Sequence, residues 1–206
     1  MSAVLKPTNL TSVEDYLAGE LLSENKHELI DGRVYAMAGA SSNHERISVN
    51  ILRKFGNHLE NTPCEPFGSD MKVKVAANFF YPDALVDCNF DESTPYFTES
   101  PIIIVEVLSK STRKQDETIK LLNYINILTL QEYVLIQQDF VDIQVIRRSE
   151  GWLPRHYFLG DEVPFESIDL SLPVEEIYYR VQNEDMIEFL ECKAKAAENM
   201  GHSGDT

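Results

Sequence analysis

Cysteine is scarce in this 206-residue chain: Cys64, Cys88 and Cys192 are widely spaced and odd in number. They suggest neither a disulfide framework nor a thiolate zinc site, and are expected to be reduced and mostly buried. Long apolar runs are missing too. Nothing approaches the roughly 18 residues of a membrane span, and the N-terminus lacks the basic and apolar regions of a signal peptide, so a cytoplasmic protein with no membrane association is expected. Positive charge is the third shortage: 18 basic residues face 34 acidic ones, a net charge of −16. That balance opposes any account in which the whole surface attracts nucleic acid. Nucleic-acid chemistry would need the basic side chains gathered on one face, or a groove formed by an oligomer.

What is present fits one α/β (α+β) domain. Length and a 43% hydrophobic content suffice for a substantial core. The expected domain covers residues 10–198, with residues 1–9 and 199–206 as flexible ends. In "TSVEDYLAGELL", apolar Val13, Tyr16, Leu17 and Leu21 recur at helical spacing behind cap-type Thr11 and Ser12. "KHELIDGRVYAMAG" reads as a tight hairpin turning at Asp31-Gly32. Ser42 and Glu45 stand in capping-box spacing ahead of a helix with Ile47, Ile51, Leu52, Phe55 and Leu59 on its apolar face. "MKVKVA" alternates as a half-buried strand does. "FFYPDALVDC" and "PIIIVEVL" read as central strands, joined by an acidic, turn-rich loop. Thr112 and Gln115 form a capping box for a helix whose core face is Ile119, Leu122 and Ile125, while Asp116, Lys120 and Tyr124 share another stripe. Three strands follow in "EYVLIQQ", "VDIQVIRR" and "WLPRHYF", and "PVEEIYYRVQNEDMIEFLECKAKAAEN" reads as one closing helix.

The candidate chemistry lies in two carboxylates and a lysine. Hydrolysis of a phosphodiester calls for a divalent cation and a positive group near the scissile phosphate. Magnesium needs few protein carboxylates, so Asp83 and Glu106 with one further acid would suffice. Glu106 is the strongest local anomaly, because an ionised carboxylate in a buried strand costs several kcal/mol unless paired or metal-bound. The alternative places it at a strand end, satisfied by Arg or backbone amides. Asp83 can equally be a turn residue after Pro82, with Asp87 as a reserve ligand on the same face. Lys120, four residues after Asp116, can be a surface ion pair worth at most about 0.5 kcal/mol. His44 could be a base or phosphate contact, or an exposed first-turn residue. Glu28 could ligate metal, or pair with Lys26 or Arg33.

In order along the chain stand a Glu hairpin ("HELIDGRVYAMAGASSNHERI"), a Pro-Asp strand ("YPDALVDC") and a Glu-Val-Leu-Ser strand end running into a Thr-Arg helix that ends at Tyr124. Taken together they resemble the Uma-type restriction endonuclease family of the PD-(D/E)XK nuclease superfamily, over roughly residues 10–190. The resemblance implies a restriction endonuclease-like fold: a mixed β-sheet core flanked by helices, with an N-terminal helix and β-hairpin. It also implies Asp83 and Glu106 as magnesium ligands, with Mn²⁺ as a possible substitute, and Glu28 as the upstream acid that often joins them. One position departs from the motif: two residues after Glu106, where a lysine normally stands, is Leu108. Resemblance to superfamily members whose lysine has moved to the next helix puts that role on Lys120, with Lys72 and Lys74 as competitors. Ser109, Ser111 and Thr112 could hydrogen-bond phosphate oxygens near the helix N-terminus, and His44 and Tyr124 are auxiliary candidates.

The expected function is a magnesium-dependent endonuclease hydrolysing DNA, acting as a homodimer or higher homo-oligomer, since cutting two strands needs two sites. Two other readings use the same residues. One is a catalytically inactive restriction endonuclease-like fold that binds nucleic acid or protein; the other is a metal-dependent hydrolase of a non-DNA phosphoester.

Overall fold

A strand that is apolar on both faces must be covered on both, and Pro101–Leu108 is built that way. Ile103, Val105 and Val107 join one core cluster, whereas Ile104 and Leu108 join another. Glu106 alternates into this second face. The computed structural model describes residues 10–110 and 113–201, with side chains through residue 196. Residues 1–9, Ser111, Thr112 and 202–206 lie outside the described residues, so the expected Thr112 cap is not described.

In chain order the elements are α1 (Val13–Glu20), the hairpin β1 (His27–Ile30) and β2 (Arg33–Ala36), and α2 (Ser42–His58). Then come β3 (Glu65–Gly68), β4 (Lys72–Val75), β5 (Asn78–Phe80), β6 (Ala84–Asp87), β7 (Phe97–Thr98) and β8 (Pro101–Leu108). A continuous helical stretch follows: α3 (Arg113–Gln115), a π-helical turn (Asp116–Lys120) and α4 (Leu121–Tyr124). Strands β9 (Glu132–Gln137), β10 (Ile143–Arg147), β11 (Pro154–Tyr157), β12 (Glu162–Phe165) and β13 (Leu170–Pro173) lead to α5 (Val174–Ile177) and α6 (Glu184–Gly201).

Among the described residues the strands form three sheets. The central one has the order β11-β10-β9-β8-β6-β3, a second runs β2-β1-β5-β4-β7, and β12 pairs with β13. In the central sheet only β8 and β9 run parallel. On one face α2 packs Ile47, Ile51 and Phe55 against Val105, Val107 and Val134, each such side chain worth about 1.5–3 kcal/mol when fully buried. On the other, Tyr124, Tyr133 and Phe80 cover Ile104 and Leu108. The molecule thus has the expected mixed α+β architecture, with helices flanking a central mixed sheet.

The hairpin turns as the sequence implies, with Asp31 and Gly32 both at positive φ, the geometry of a two-residue turn that matches strand twist. Other expectations are corrected. The cap of α2 is Ser41, whose side chain accepts from the His44 N–H at 3.2 Å, one residue before the expected Ser42. "FFYPDALVDC" is not one strand: β5 and β6 belong to different sheets, and the chain crosses between them at Tyr81–Asp83, where Pro82 has no N–H to continue a ladder. The closing helix is two, separated by a turn in which Arg180 has φ 65°. The β12–β13 hairpin was not foreseen, because "PFESIDLSL" lacks a clean alternation.

The helix 113–124 faces the opposite way from its sequence pattern. Ile119 and Leu122 are exposed, whereas Asp116, Lys120 and Tyr124 are buried. An expectation that counts apolar residues fails here because the inward stripe carries polar groups that satisfy one another. The cysteines also differ: Cys64 and Cys88 form a disulfide, and Cys192 is exposed. Their pairing follows from the β3–β6 register, in which Glu65 faces Asp87 and the flanking cysteines meet. That register is invisible across 24 residues of sequence.

Candidate functional site

Where β6 begins, its first register pair is Ala84 with Val105, so Asp83 lies beside Glu106. The backbone fixes Asp83 twice. Its N–H donates to the Val105 carbonyl at 3.1 Å, and its Oδ2 accepts from the Val107 N–H at 2.6 Å. His44, in the first turn of α2, places Nε2 3.2 Å from the same Oδ2. Burial lowers the imidazole's affinity for a proton, but the Asp83 hydrogen bond and charge, helped by Glu45 and Asp116, win, and its pKa is raised. The four-residue hairpin strand β1 brings in Glu28, whose Oε1 accepts from the Tyr81 N–H at 3.2 Å and whose Oε2 accepts from Gln115 at 2.8 Å.

Lys120 reaches the point where these acids converge. Its Nζ lies 3.0 Å from Glu28 Oε1, 3.0 Å from Glu106 Oε1 and 3.1 Å from Asp116 Oδ1. Tyr124 donates to Glu106 Oε1 at 3.1 Å, and Tyr133 donates to the Asp116 carbonyl at 3.1 Å. Asp116 and Lys120 stand in the π-helical turn and Tyr124 in α4, and along this continuous stretch all three face inward. Asp116 and Lys120 do form the i,i+4 pair that the sequence suggested, but it is buried rather than solvated.

Electrostatics follow from burial. Desolvation is the largest influence on Glu106, and with the charges of Asp116, Asp83 and Glu28 it outweighs Lys120, so the carboxyl is held well above its ordinary pKa. Burial pulls the Lys120 ammonium down, but Glu106, Glu28 and Asp116 more than reverse this, and it titrates well above the usual lysine range. Lys120 is therefore a fixed cation at neutral pH and not a base. Burial, then the Glu106 charge, keeps Tyr124 a neutral phenol.

Three carboxylates, those of Glu28, Glu106 and Asp116, surround this one ammonium, and Asp83 lies beside Glu106 on the neighbouring strand. Among the described residues no three His, Cys, Asp or Glu side chains form a ready-made metal-binding group. The donor chemistry nonetheless fits magnesium, a hard cation that takes one or two protein carboxylates and keeps several waters. The excess of negative charge at the buried end of β8 is the feature that would draw it. Asp83 and Glu106, with Glu28 beside them, are the carboxylates that could hold such an ion.

The remaining candidates fall elsewhere. Lys72 is buried and points at Tyr81, its Nζ 3.3 Å from the phenol oxygen, and Lys74 pairs with Glu99 at 2.7 Å. Neither contacts the carboxylate cluster among the described residues. Asp87, at the other end of β6, is buried and accepts hydrogen bonds from Thr98, Ser100 and the Asn89 N–H, so it fastens the loop before β8. Ser109 offers its carbonyl to the Arg113 N–H at 3.0 Å. Residues absent from the sequence-level candidate set are Asp116 and Gln115. Asp116 was signalled by its four-residue spacing with Lys120 and Tyr124, set aside in favour of an apolar face, and Gln115 only by its cap spacing from Thr112.

A family model, Uma2, described as "Putative restriction endonuclease", matches residues 13–175. A Synechocystis relative named "Uncharacterized protein slr1290" is 37% identical over 172 residues, covering 81% of this chain and 90% of its own. A second from the same organism, "Uncharacterized protein sll1609", is 34% identical over 140 residues, covering 66% and 79%. Among solved structures, one titled as a putative nuclease belonging to DUF820, from Anabaena variabilis, superposes with a TM-score of 0.71. It has 17% sequence identity and covers 83% of this chain and 99% of that one.

Proposed function

The chain belongs to the Uma2 family, and from that premise we propose that it is a magnesium-dependent endonuclease that hydrolyses DNA phosphodiester bonds. The observation that carries the reading is the meeting of Asp83 and Glu106 on adjacent strands with the Lys120 ammonium 3.0 Å from Glu106. Asp83 and Glu106 would hold Mg²⁺, or Mn²⁺ in its place, and a bound ion would supply charge stabilisation at phosphorus and a more acidic water. Lys120 keeps a permanent positive charge where negative charge develops in the transition state. Glu28 from β1 and Asp116 from its own helical turn fix that ammonium, and Tyr124 orients Glu106 through its hydroxyl. His44 clamps Asp83 from α2. A cytoplasmic location and a homodimer or higher homo-oligomer, giving two sites for two strands, belong to the same reading.

Cleavage of plasmid and single-stranded DNA with Mg²⁺ or Mn²⁺ tests it, comparing wild type with Asp83→Ala, Glu106→Ala and Lys120→Ala. Rates should fall at least about 100-fold in each variant. Retained cleavage in Lys120→Ala would remove the displaced lysine from the account, and no metal-dependent cleavage by wild type would remove the nuclease.

One observation favours a second reading. The carboxylates are already engaged by Lys120, and the described residues contain no ready-made metal group. That suits a binding module which has kept the fold without the reaction. Unchanged target binding by an Asp83→Ala/Glu106→Ala chain, with no wild-type turnover, would select it.

A further inference from the structure

The net charge of −16 leaves the proposed nuclease without an evident place to grip a polyanion. The fold supplies one. Beside α2 lies a cleft of about 340 Å³ into which Arg46, Arg53 and Arg180 converge. Arg46 and Arg53 are seven residues apart and therefore share a helix face. About 10.5 Å of helix axis separates them, close to three phosphate steps along one strand of a duplex.

The third arginine is placed by a rigid turn. Arg180 has φ 65°, a left-handed conformation uncommon for a residue with a side chain. It is held there from both sides by α2. The buried Asn50 side chain donates to the carbonyls of Ile177 at 3.0 Å and Tyr179 at 2.9 Å. Asn43 donates to the Gln182 carbonyl at 2.7 Å and accepts from its N–H at 3.0 Å. A turn fixed at four points presents its guanidinium to the same cleft as the helix.

These three cations have no ion-pair partner among the described residues; Arg46 contacts only the Asn43 amide oxygen, at 3.1 Å, and Arg180 lies over the Tyr179 ring. On the same helix Lys54, by contrast, is paired with Glu176. Glu45 is the one carboxylate in the lining, outnumbered by the arginines. Val49 and Tyr179, both exposed, complete it with apolar surface. Guanidinium groups match phosphate geometry, and apolar surface between them suits deoxyribose, which lacks the 2′-hydroxyl that RNA readers engage. The cleft begins within one helical turn of His44, which touches Asp83.

We propose that the Arg46–Arg53–Arg180 cleft binds the sugar-phosphate backbone of duplex DNA and leads one strand to the Asp83–Glu106 site. The assignment rests on the nuclease reading for its direction, but its binding test does not. A fluorescein-labelled duplex of about 30 base pairs is titrated by anisotropy with Ca²⁺ present and over a range of salt, using wild type, the triple Arg→Gln chain (Arg46, Arg53, Arg180) and the triple Arg→Lys chain. The same proteins are assayed for cleavage with Mg²⁺.

The triple Gln chain should bind the duplex at least about tenfold more weakly, with a salt slope smaller by roughly 2–3, since each lost phosphate contact removes about 0.9. The Lys chain should retain that slope. Equal affinity and slope in wild type and the Gln chain would overturn the assignment, as would tighter wild-type binding to an RNA of the same length. Cleavage separates the two ideas. Binding that depends on the arginines without any turnover upholds the cleft and rejects the nuclease, while turnover with arginine-independent binding does the reverse.

Discussion

Two buried ion clusters occupy opposite faces and opposite ends of the central sheet, and they are built on different principles. Glu132, at the start of β9 beside Ile103, belongs to a cluster around Arg147, which is 1% exposed. There Glu132 Oε1 accepts from the backbone N–H groups of Glu166 and Ser167. Arg147 donates to the Pro164 carbonyl and to the Tyr157 hydroxyl. Charges sewn into backbone in this way lock a turn onto the strand ends of β9 and β10. Around Glu106 the partners are side chains from β1, the π-helical turn and α4, no backbone donor to Glu106 is observed among the described residues, and carboxylates outnumber the cation. In the first cluster one buried carboxylate faces the buried guanidinium, with Glu150 and Glu166 reaching it from more exposed positions; in the second, three buried carboxylates face one ammonium. The difference teaches that burial of charge alone does not mark a site, whereas buried charge of unbalanced sign does.

The same kind of substitution should therefore act differently in the two places. The largest effect expected is on chemistry: Glu106→Gln should lower Mg²⁺-dependent DNA cleavage by about 1,000-fold, while Arg147→Met should leave cleavage per folded molecule within about twofold of wild type. Steady-state assays at matched folded fractions measure both. On stability the order reverses. Arg147→Met strands Glu132 in the interior and should cost about 3–5 kcal/mol in urea unfolding. Glu106→Gln keeps an acceptor for Lys120 and Tyr124 and, at a pH above the raised folded pKa of Glu106, removes its like-charge repulsion, so there it should stabilise the chain by about 1 kcal/mol without added metal. A destabilised Glu106→Gln protein would make the two clusters alike and the contrast wrong.

Titration sharpens the point. With its pKa held well above the usual range, first by burial and then by neighbouring carboxylates, folded Glu106 retains a proton that the unfolded chain releases. Stability should thus fall as pH rises above about 4.5, towards the folded value. In Glu106→Gln that part of the slope should vanish, as followed by denaturant midpoints between about pH 5 and 8. The smallest effect belongs to Lys74→Ala, whose partly exposed pair with Glu99 should be worth under about 0.5 kcal/mol and nothing in turnover.

Much of this was legible in the sequence, for reasons that can be located. Strand β8 announced itself because a run such as "PIIIVEVL" has no solvent-compatible face, and Glu106 stood out against it. The hairpin was readable because Asp31-Gly32 accepts positive φ. What could not be read depended on contacts between distant segments. Ile119 and Leu122 promised a core face that the fold leaves exposed, because the helix is oriented by Lys120 reaching three carboxylates, and two of these, Glu28 and Glu106, come from other strands. Cys64 meets Cys88 only through the β3–β6 register. The arginine cleft joins residues more than a hundred positions apart through Asn43 and Asn50, so composition could show only a shortage of positive charge, never its concentration.

The central claim is that the cluster's unbalanced charge takes up a divalent cation, and Mn²⁺ binding followed by electron paramagnetic resonance tests it most directly. The account predicts a bound ion in wild type and in Arg147→Met, displaced by Mg²⁺, and its loss in both Asp83→Asn and Glu106→Gln. No bound Mn²⁺ in wild type, or equal binding in Glu106→Gln, would contradict it.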